Sequence, residues 1–283
     1  VNHMLDIEKL AKKPKVFHSL CGLTPDKFNA LLLRLEPLWE EAELKRKNWE
    51  GRKRKIGGGI KPKLSLAQKL FILLLYYRTY INHVFIGMIA GIDDSNVSRN
   101  INPLEPVLAQ IFKIPQKKIN ITEQEILELI VDATEQETEK RSGSGYSGKK
   151  KRQTVKTQIY VTRDGNLKAV SKSYAGNIHD KKIHNHSKTY CVVKGKLRRV
   201  KKKGDLGYIG TECETPIKSS KYHKLTEKEK RCNKLFSAER IIVEHVISFL
   251  KKFHILSYRF RNKISRHNLI FKNIAGIRNF ITA

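Results

Sequence analysis

The spacing of apolar residues changes character near residue 120, and that change divides the chain. In the front part apolar positions recur at threes and fours. Leu23, Phe28, Leu31, Leu32, Leu35 and Leu38 mark helical structure within residues 14–43, with Thr24-Pro25 as a start signal. Ser65 can cap a helix through Leu66, Leu70, Leu73, Leu74 and Tyr77. A further segment, Asn82 to Ala90, stops at Gly91, and Asp93, Asp94 and Ser95 offer caps for a helix through Val97 and Ile101. Helix, glycine turn, capped helix is a helix-turn-helix pattern, which a plain helical hairpin also produces. Between these helices Lys45 to Lys63 is mostly Lys, Arg and Gly, and Gly57-Gly58-Gly59 predicts a loop.

Behind residue 120 the pattern turns to strands followed by helices. Ile126 to Val131 is apolar except for Glu128 and predicts a central strand ending at Asp132. Thr154 to Thr162 is β-rich, and Arg163-Asp164-Gly165-Asn166 turns it into Leu167 to Tyr174, a hairpin. A helix is expected near Asp180 to Tyr190. A basic segment, Lys194 to Lys203, then leads to Asp205, and the last long helix is expected from near Ser237 to Phe253. This order predicts two domains, an all-α region over residues 1–118 and an α/β domain over 119–283.

Charge adds a partner. Lys plus Arg number 57 against 27 acidic residues, a surplus of +30 that calls for a polyanion, and nucleic acid is the usual one. The clusters Lys45 to Lys55 and Lys194 to Lys203 are expected to add sequence-independent affinity that falls steeply with salt. Apolar residues make up 40%, which rules out a disordered basic tail. Cys21, Cys191, Cys213 and Cys232 are too dispersed for a zinc site or disulfide framework and read as reduced cysteines. No apolar run reaches membrane-spanning length, and Lys9, Lys12, Lys13 and Lys15 interrupt the start, so no secretory leader is expected. Val1 in place of methionine suits a non-standard start codon or a trimmed chain. A cytoplasmic, nucleoid-associated protein is the resulting expectation.

Three carboxylates stand where chemistry could sit. Asp132 follows the predicted central strand, and carboxyl ends of buried strands are where α/β sheets place ligands. Asp205 lies in Gly204-Asp205-Leu206-Gly207-Tyr208-Ile209-Gly210, whose glycines allow a sharp turn and close approach. On a helical wheel with Arg240 at zero, Glu244 falls at roughly 40° and Lys251 at roughly 20°. Ile242, Val246, Phe249, Leu250 and Phe253 fall on the opposite face, so the helix would turn Arg, Glu and Lys away from its apolar stripe. Singly, each carboxylate is as well explained by a turn or a salt-bridged surface. Together they suit hard divalent ions, Mg²⁺ or Mn²⁺, two of which could serve an in-line displacement at a phosphodiester. Arg240 and Lys251 would hold phosphates. Lys149, Lys150, Lys151, Arg152 and Lys156 are candidates for phosphate contact, and Asn96 and Arg99 for DNA contact if the helix-turn-helix holds. His179-Asp180, His184 and His186 lack a clear ligand spacing and read as structural or surface residues.

Four stretches carry a resemblance: Val131-Asp132-Ala133-Thr134, Gly145 to Lys150, Gly204 to Gly210, and Arg240 to Glu244. From about Ile126 onward the chain resembles bacterial insertion-sequence transposases of the DDE type, the group related to Harbinger-like nucleases. Arg240, Glu244 and Lys251 keep the spacing of that family's last motif, while its tyrosine position is Ser237. The resemblance implies a ribonuclease H-like mixed-sheet catalytic domain behind a helix-turn-helix-type DNA-binding domain. It implies Asp132, Asp205 and Glu244 as the metal-binding triad. It also implies double-stranded DNA as partner, both terminal inverted repeats and target, and a homodimer or higher assembly on DNA. A non-catalytic nucleic-acid-binding protein and a host nuclease derived from a transposase are the alternatives.

Overall fold

The computed structural model describes residues 5–48, 50–53, 62–122, 128–140, 143–187 and 189–283. The Gly57–Gly59 loop, part of the Lys45–Lys55 cluster and the start of the Ile126–Val131 run lie outside them. The chain forms two compact units, divided at Lys113/Ile114, with Phe253–Ile255 belonging to the first.

The first unit is helical: α1 Ile7–Ala11, α2 Pro14–Cys21, α3 Pro25–Lys47, α4 Leu66–Thr79, α5 His83–Ala90, α6 Asp94–Ile101 and α7 Leu104–Phe112. The helical spacing over 14–43 resolves into α2 and α3, separated by Gly22 in the left-handed region. Local side chains set the starts. Thr24, Asn82 and Asp93 each cap the helix that follows, and Ser65 forms a capping box with Gln68. Helix α4 buries every residue from Leu70 to Tyr77, so it is the central helix of the unit. Phe17, Phe28 and Phe71 meet edge-to-face with centroids 5.3–6.2 Å apart. The α5–Gly91–α6 segment is the expected helix-turn-helix, with Gly91 left-handed at φ 66°. On α6, Val97 and Ile101 are buried and Arg99 is exposed.

The second unit is a mixed α/β domain. Its strands are β1 Lys118–Asn120, β2 Glu128–Glu137, β3 Gly145–Ser147, β4 Arg152–Thr162, β5 Leu167–Ala175, β6 Tyr190–Val193, β7 Lys196–Arg198 and β8 Lys201–Lys203. Its helices are α8 Asp180–Ser187, α9 Glu227–Lys251 and α10 Ile264–Thr282. In the main sheet β4 has antiparallel β2 along one edge and β3, then β5, along the other; β8 joins β2 in parallel. β1, β6 and β7 form a second, three-stranded sheet. An antiparallel meander continued by a parallel strand, with helices packed on the sheet, is the ribonuclease H-like arrangement that the strand pattern and the resemblance led us to expect.

Two boundaries differ from expectation. Strand β2 does not end at Asp132 but continues to Glu137. Its second half is polar yet half-buried, because Glu135 accepts from Thr154 and Gln136 bonds His267. Helix α9 begins at Glu227, some ten residues before the expected start, where Thr226 and Glu229 form a capping box. Its buried stripe is Val243, Val246 and Leu250, one position round from the expected face, with Ile242 and Phe249 half-buried.

Candidate active site

The parallel pairing of β2 with β8 aligns the two aspartates. The register runs Glu128↔Lys201, Leu129↔Lys202 and Ile130↔Lys203, and the pairing ends there. Two residues further along the chains stand Asp132 and Asp205. Asp132 is therefore in the interior of its own strand but just past the end of its parallel neighbour, where a crevice opens. By strand alternation it shares a face with Ile130, the face against which α9 packs. Asp205 caps a short 3-10 turn, Leu206–Tyr208, and its Oδ1 accepts from the Gly207 amide at 2.9 Å. The glycines flanking Asp205 are close-approach residues: a Cβ at Gly204 would lie 2.7 Å from the Tyr208 ring, and one at Gly207 2.9 Å from Asp205 Oδ1.

One cleft of about 350 Å³ gathers the expected triad, Asp132, Asp205 and Glu244. Arg240 and Lys251 line it from α9, and Lys149, Lys150 and Lys156 from the β3–β4 turn and β4. Of the other residues expected to meet DNA phosphates, Arg152 is exposed and pairs with Glu137 at 2.6 Å, and Lys151 sits at positive φ in the turn. Neither lines this cleft.

Asp132 is largely buried, and its carboxyl is pushed up to about 6. Burial is the main cause; Arg240 and the Ala133 amide oppose it, and the charges of Asp205 and Asp180 add to it. Arg240 reaches Asp132 Oδ2 only at 3.6 Å, and its own Nε is buried with no hydrogen-bond partner. Lys251 is held below the usual lysine range, by desolvation first and then by Lys150, against the pull of Asp132. Arg240 thus keeps an unused donor beside a carboxylate whose charge burial disfavours.

Asp180 was read from sequence as a structural or surface residue, and it lines this same cleft. Lys156 Nζ bonds its Oδ1 at 3.2 Å and the Ile178 carbonyl at 3.2 Å. Its Oδ2 faces Gly207, 3.4 Å from where a Cβ there would stand. Only the fold brings α8 to this place; no local spacing in the sequence marks it. Nearby His184 belongs instead to a buried network with Tyr160, Glu212 and Cys213, as its structural reading requires.

The basic stretch before Asp205 also departs from expectation. Lys194 to Lys201 is mostly exposed, but Lys202 and Lys203 are buried. Lys202 bonds the Thr189 carbonyl and Glu212 on one side of β8. Lys203, on the other side, bonds Glu128 at 2.8 Å and Glu239 at 2.6 Å. These two cations are committed inside the protein and add nothing to a DNA-binding surface.

Hard oxygen donors line the cleft, with no sulfur or imidazole among them, and burial outweighs the pull of Arg240, 3.6 Å away, on Asp132. That chemistry fits a divalent cation. Among the described residues no three His, Cys, Asp or Glu side chains stand close enough to enclose an ion.

A ribonuclease H-like sheet carrying such a carboxylate cleft defines a metal-dependent nuclease. Residues 131–279 match the DDE superfamily endonuclease family, and residues 62–114 match the helix-turn-helix of DDE superfamily endonucleases. The chain is 33% identical over 240 residues to a probable transposase for insertion sequence element IS702 from Microchaete diplosiphon, covering 81% of this chain and 85% of that protein. The chain belongs to the DDE superfamily of insertion-sequence transposases, with a helix-turn-helix DNA-binding region ahead of its endonuclease domain. Endonucleases of this superfamily generally use divalent metal ions. Among the described residues no helix is long and apolar enough to cross a membrane.

Proposed function

We propose that this transposase cuts and joins DNA at the ends of its own mobile element, with Asp132, Asp205 and Glu244 as its metal-holding carboxylates. The observation that carries the reading is the β2–β8 register, which sets Asp132 abreast of Asp205 in one cleft with Glu244. Two Mg²⁺ or Mn²⁺ ions held there would supply activation of a water or 3′-hydroxyl and charge stabilisation of the leaving oxygen.

The chain's own residues do the rest. Arg240, whose Nε is unpartnered, offers a planar fork to a phosphate, and Lys251 a point charge one face along the same helix. Lys149 and Lys150 tether the neighbouring backbone from the β3–β4 turn, and Lys156 holds Asp180 toward Asp205. On α6, Asn96 and Arg99 face the terminal repeats, while Lys151 and Arg152 add phosphate contacts outside the cleft. Handling two element ends and a target together calls for a homodimer or larger assembly on double-stranded DNA, in the bacterial cytoplasm at the nucleoid. Ser237, at the family's tyrosine position, is exposed on α9 and outside the cleft.

The test is cleavage of a labelled duplex carrying the sequences that flank the gene, with Mg²⁺, Mn²⁺ or chelator. Metal-dependent cuts at the repeat ends, lost in Asp132→Asn and Glu244→Gln while DNA binding survives, are expected. Cuts that persist in either variant would sink the triad assignment.

A further inference from the structure

The three carboxylates of the proposed triad come from three separate elements: Asp132 from β2, Asp205 from the loop after β8, and Glu244 from α9. Side chains so placed act together only if the elements keep fixed relative positions to within a fraction of an ångström. Backbone hydrogen bonds fix β2 against β8 over three residues. No such ladder can hold a helix to a sheet, so α9 needs a side-chain tie.

Lys203 provides one. It is the last residue of β8, two before Asp205, and only 7% exposed. Its ammonium bonds Glu128 on β2 at 2.8 Å and Glu239 on α9 at 2.6 Å, and it lies 5.7 Å from the centroid of the Phe236 ring, also on α9. One buried cation thus touches all three elements. Glu239 precedes Glu244 by little more than one helical turn, so a shift of α9 at Glu239 is carried to Glu244 almost undiminished. Arg163, from the β4–β5 turn, binds the other oxygen of Glu239 at 3.3 Å and fixes its orientation. A buried charge network of this kind adds little net stability compared with well-packed apolar residues, and its advantage is geometric definition.

We propose that Lys203 is a positioning residue for the DNA-cutting reaction, an ammonium clamp that sets Glu244 against Asp132 and Asp205 through Glu239 and Glu128. This rests on the triad reading. Lys203, Glu128 and Glu239 do not line the cleft, so loss of the clamp acts on the alignment of the carboxylates and leaves DNA affinity alone.

The test uses the full chain, a labelled duplex carrying the element's terminal sequence, and Mn²⁺. Glu239→Gln removes the charge of the α9 arm while leaving Lys203 paired with Glu128. The triple variant Lys203→Met, Glu128→Gln, Glu239→Gln removes the clamp without stranding a charge, and thermal melting reports whether each variant is folded. With folded variants, kcat is expected to fall on the order of 10- to 100-fold, the range for groups that orient metal ligands. The Mn²⁺ concentration for half-maximal cleavage should rise, and KM for DNA should stay at the wild-type value. Unchanged kcat and metal requirement in folded Glu239→Gln and the triple variant overturn the proposal; so does a loss of activity that merely tracks the unfolded fraction. Glu244→Gln run in parallel separates the two readings. Cleavage surviving Glu244→Gln sinks the triad, whereas cleavage lost in Glu244→Gln but untouched in Glu239→Gln sinks only the clamp.

Discussion

The two units of this protein are built from different interiors. The helical unit packs aromatic and aliphatic side chains around α4, and among its described residues Glu105, bonded to Tyr77 at 3.1 Å, is the one buried charged side chain. The nuclease unit buries Gln136, Thr154, Thr157, Gln158, Ser171, His184, Lys202, Lys203, His267 and Asn273 among its apolar residues. An apolar interior is forgiving, since any side chain of similar volume will serve. A hydrogen-bonded interior is not, because each group left unpaired costs its full desolvation. The helical unit therefore has to be folded, and the nuclease unit has to be folded into one arrangement.

That contrast can be broken most sharply at the cleft. Asp132→Asn or Glu244→Gln should lower DNA cleavage by more than about a hundredfold, beyond what the loss of an outer metal-site partner typically costs. Single-turnover cleavage against DNA binding by the same preparations measures it. Asp180→Asn comes next. It keeps the side-chain shape and loses the charge that faces Asp205, and a loss of about 10- to 100-fold is expected, the range for groups that orient metal ligands. Full activity in that variant would return Asp180 to a structural role.

A third prediction concerns pH and stability. His267 is fully enclosed between Gln136 and Ser173, and burial pushes its ring down from 6.5 to about 4. The neutral ring's contribution is complete above pH 6.5. As pH falls from there toward 4 the unfolded chain takes up the proton first, so stability drops, by on the order of 3 kcal/mol in full. Urea unfolding of the nuclease unit across that range should show the loss, and His267→Phe, though less stable overall, should flatten it. The helical unit supplies the smallest effect. Ser65→Ala removes the capping box of α4 and should cost about 1 kcal/mol, with no effect on cleavage by folded protein.

The same contrast explains which parts of the fold were legible in the sequence. Helix starts at Thr24, Ser65, Asn82 and Asp93 are local signals, a polar side chain and the backbone amides two or three residues on, so spacing alone revealed them. That Asp205 and Glu244 could be singled out before the cleft was seen follows from the same cause, since Gly204 to Gly210 and the Arg240–Glu244–Lys251 spacing are also local. Strand β2 beyond Asp132 was not, since Ala133 to Glu137 is polar and its partners, Thr154 and His267, lie far along the chain. Lys202 and Lys203 looked like surface charge for the same reason: Glu212, Glu128 and Glu239 become their neighbours only in the fold. Asp180 read as a structural or surface residue because α8 reaches the cleft by tertiary packing alone.

The register that sets Asp132 beside Asp205 has a consequence for how this lineage can change. Their alignment is counted out in backbone steps from Ile130 and Lys203, not held by the identity of any one neighbour. Strand parity turns a one-residue slip into a reversal of faces. Most single substitutions around the cleft should therefore weaken the copy by degrees, whereas loss or gain of a single codon between Lys203 and Asp205 would silence it at once. Inactive relatives should be richer in small in-frame length changes at this point than in replaced carboxylates.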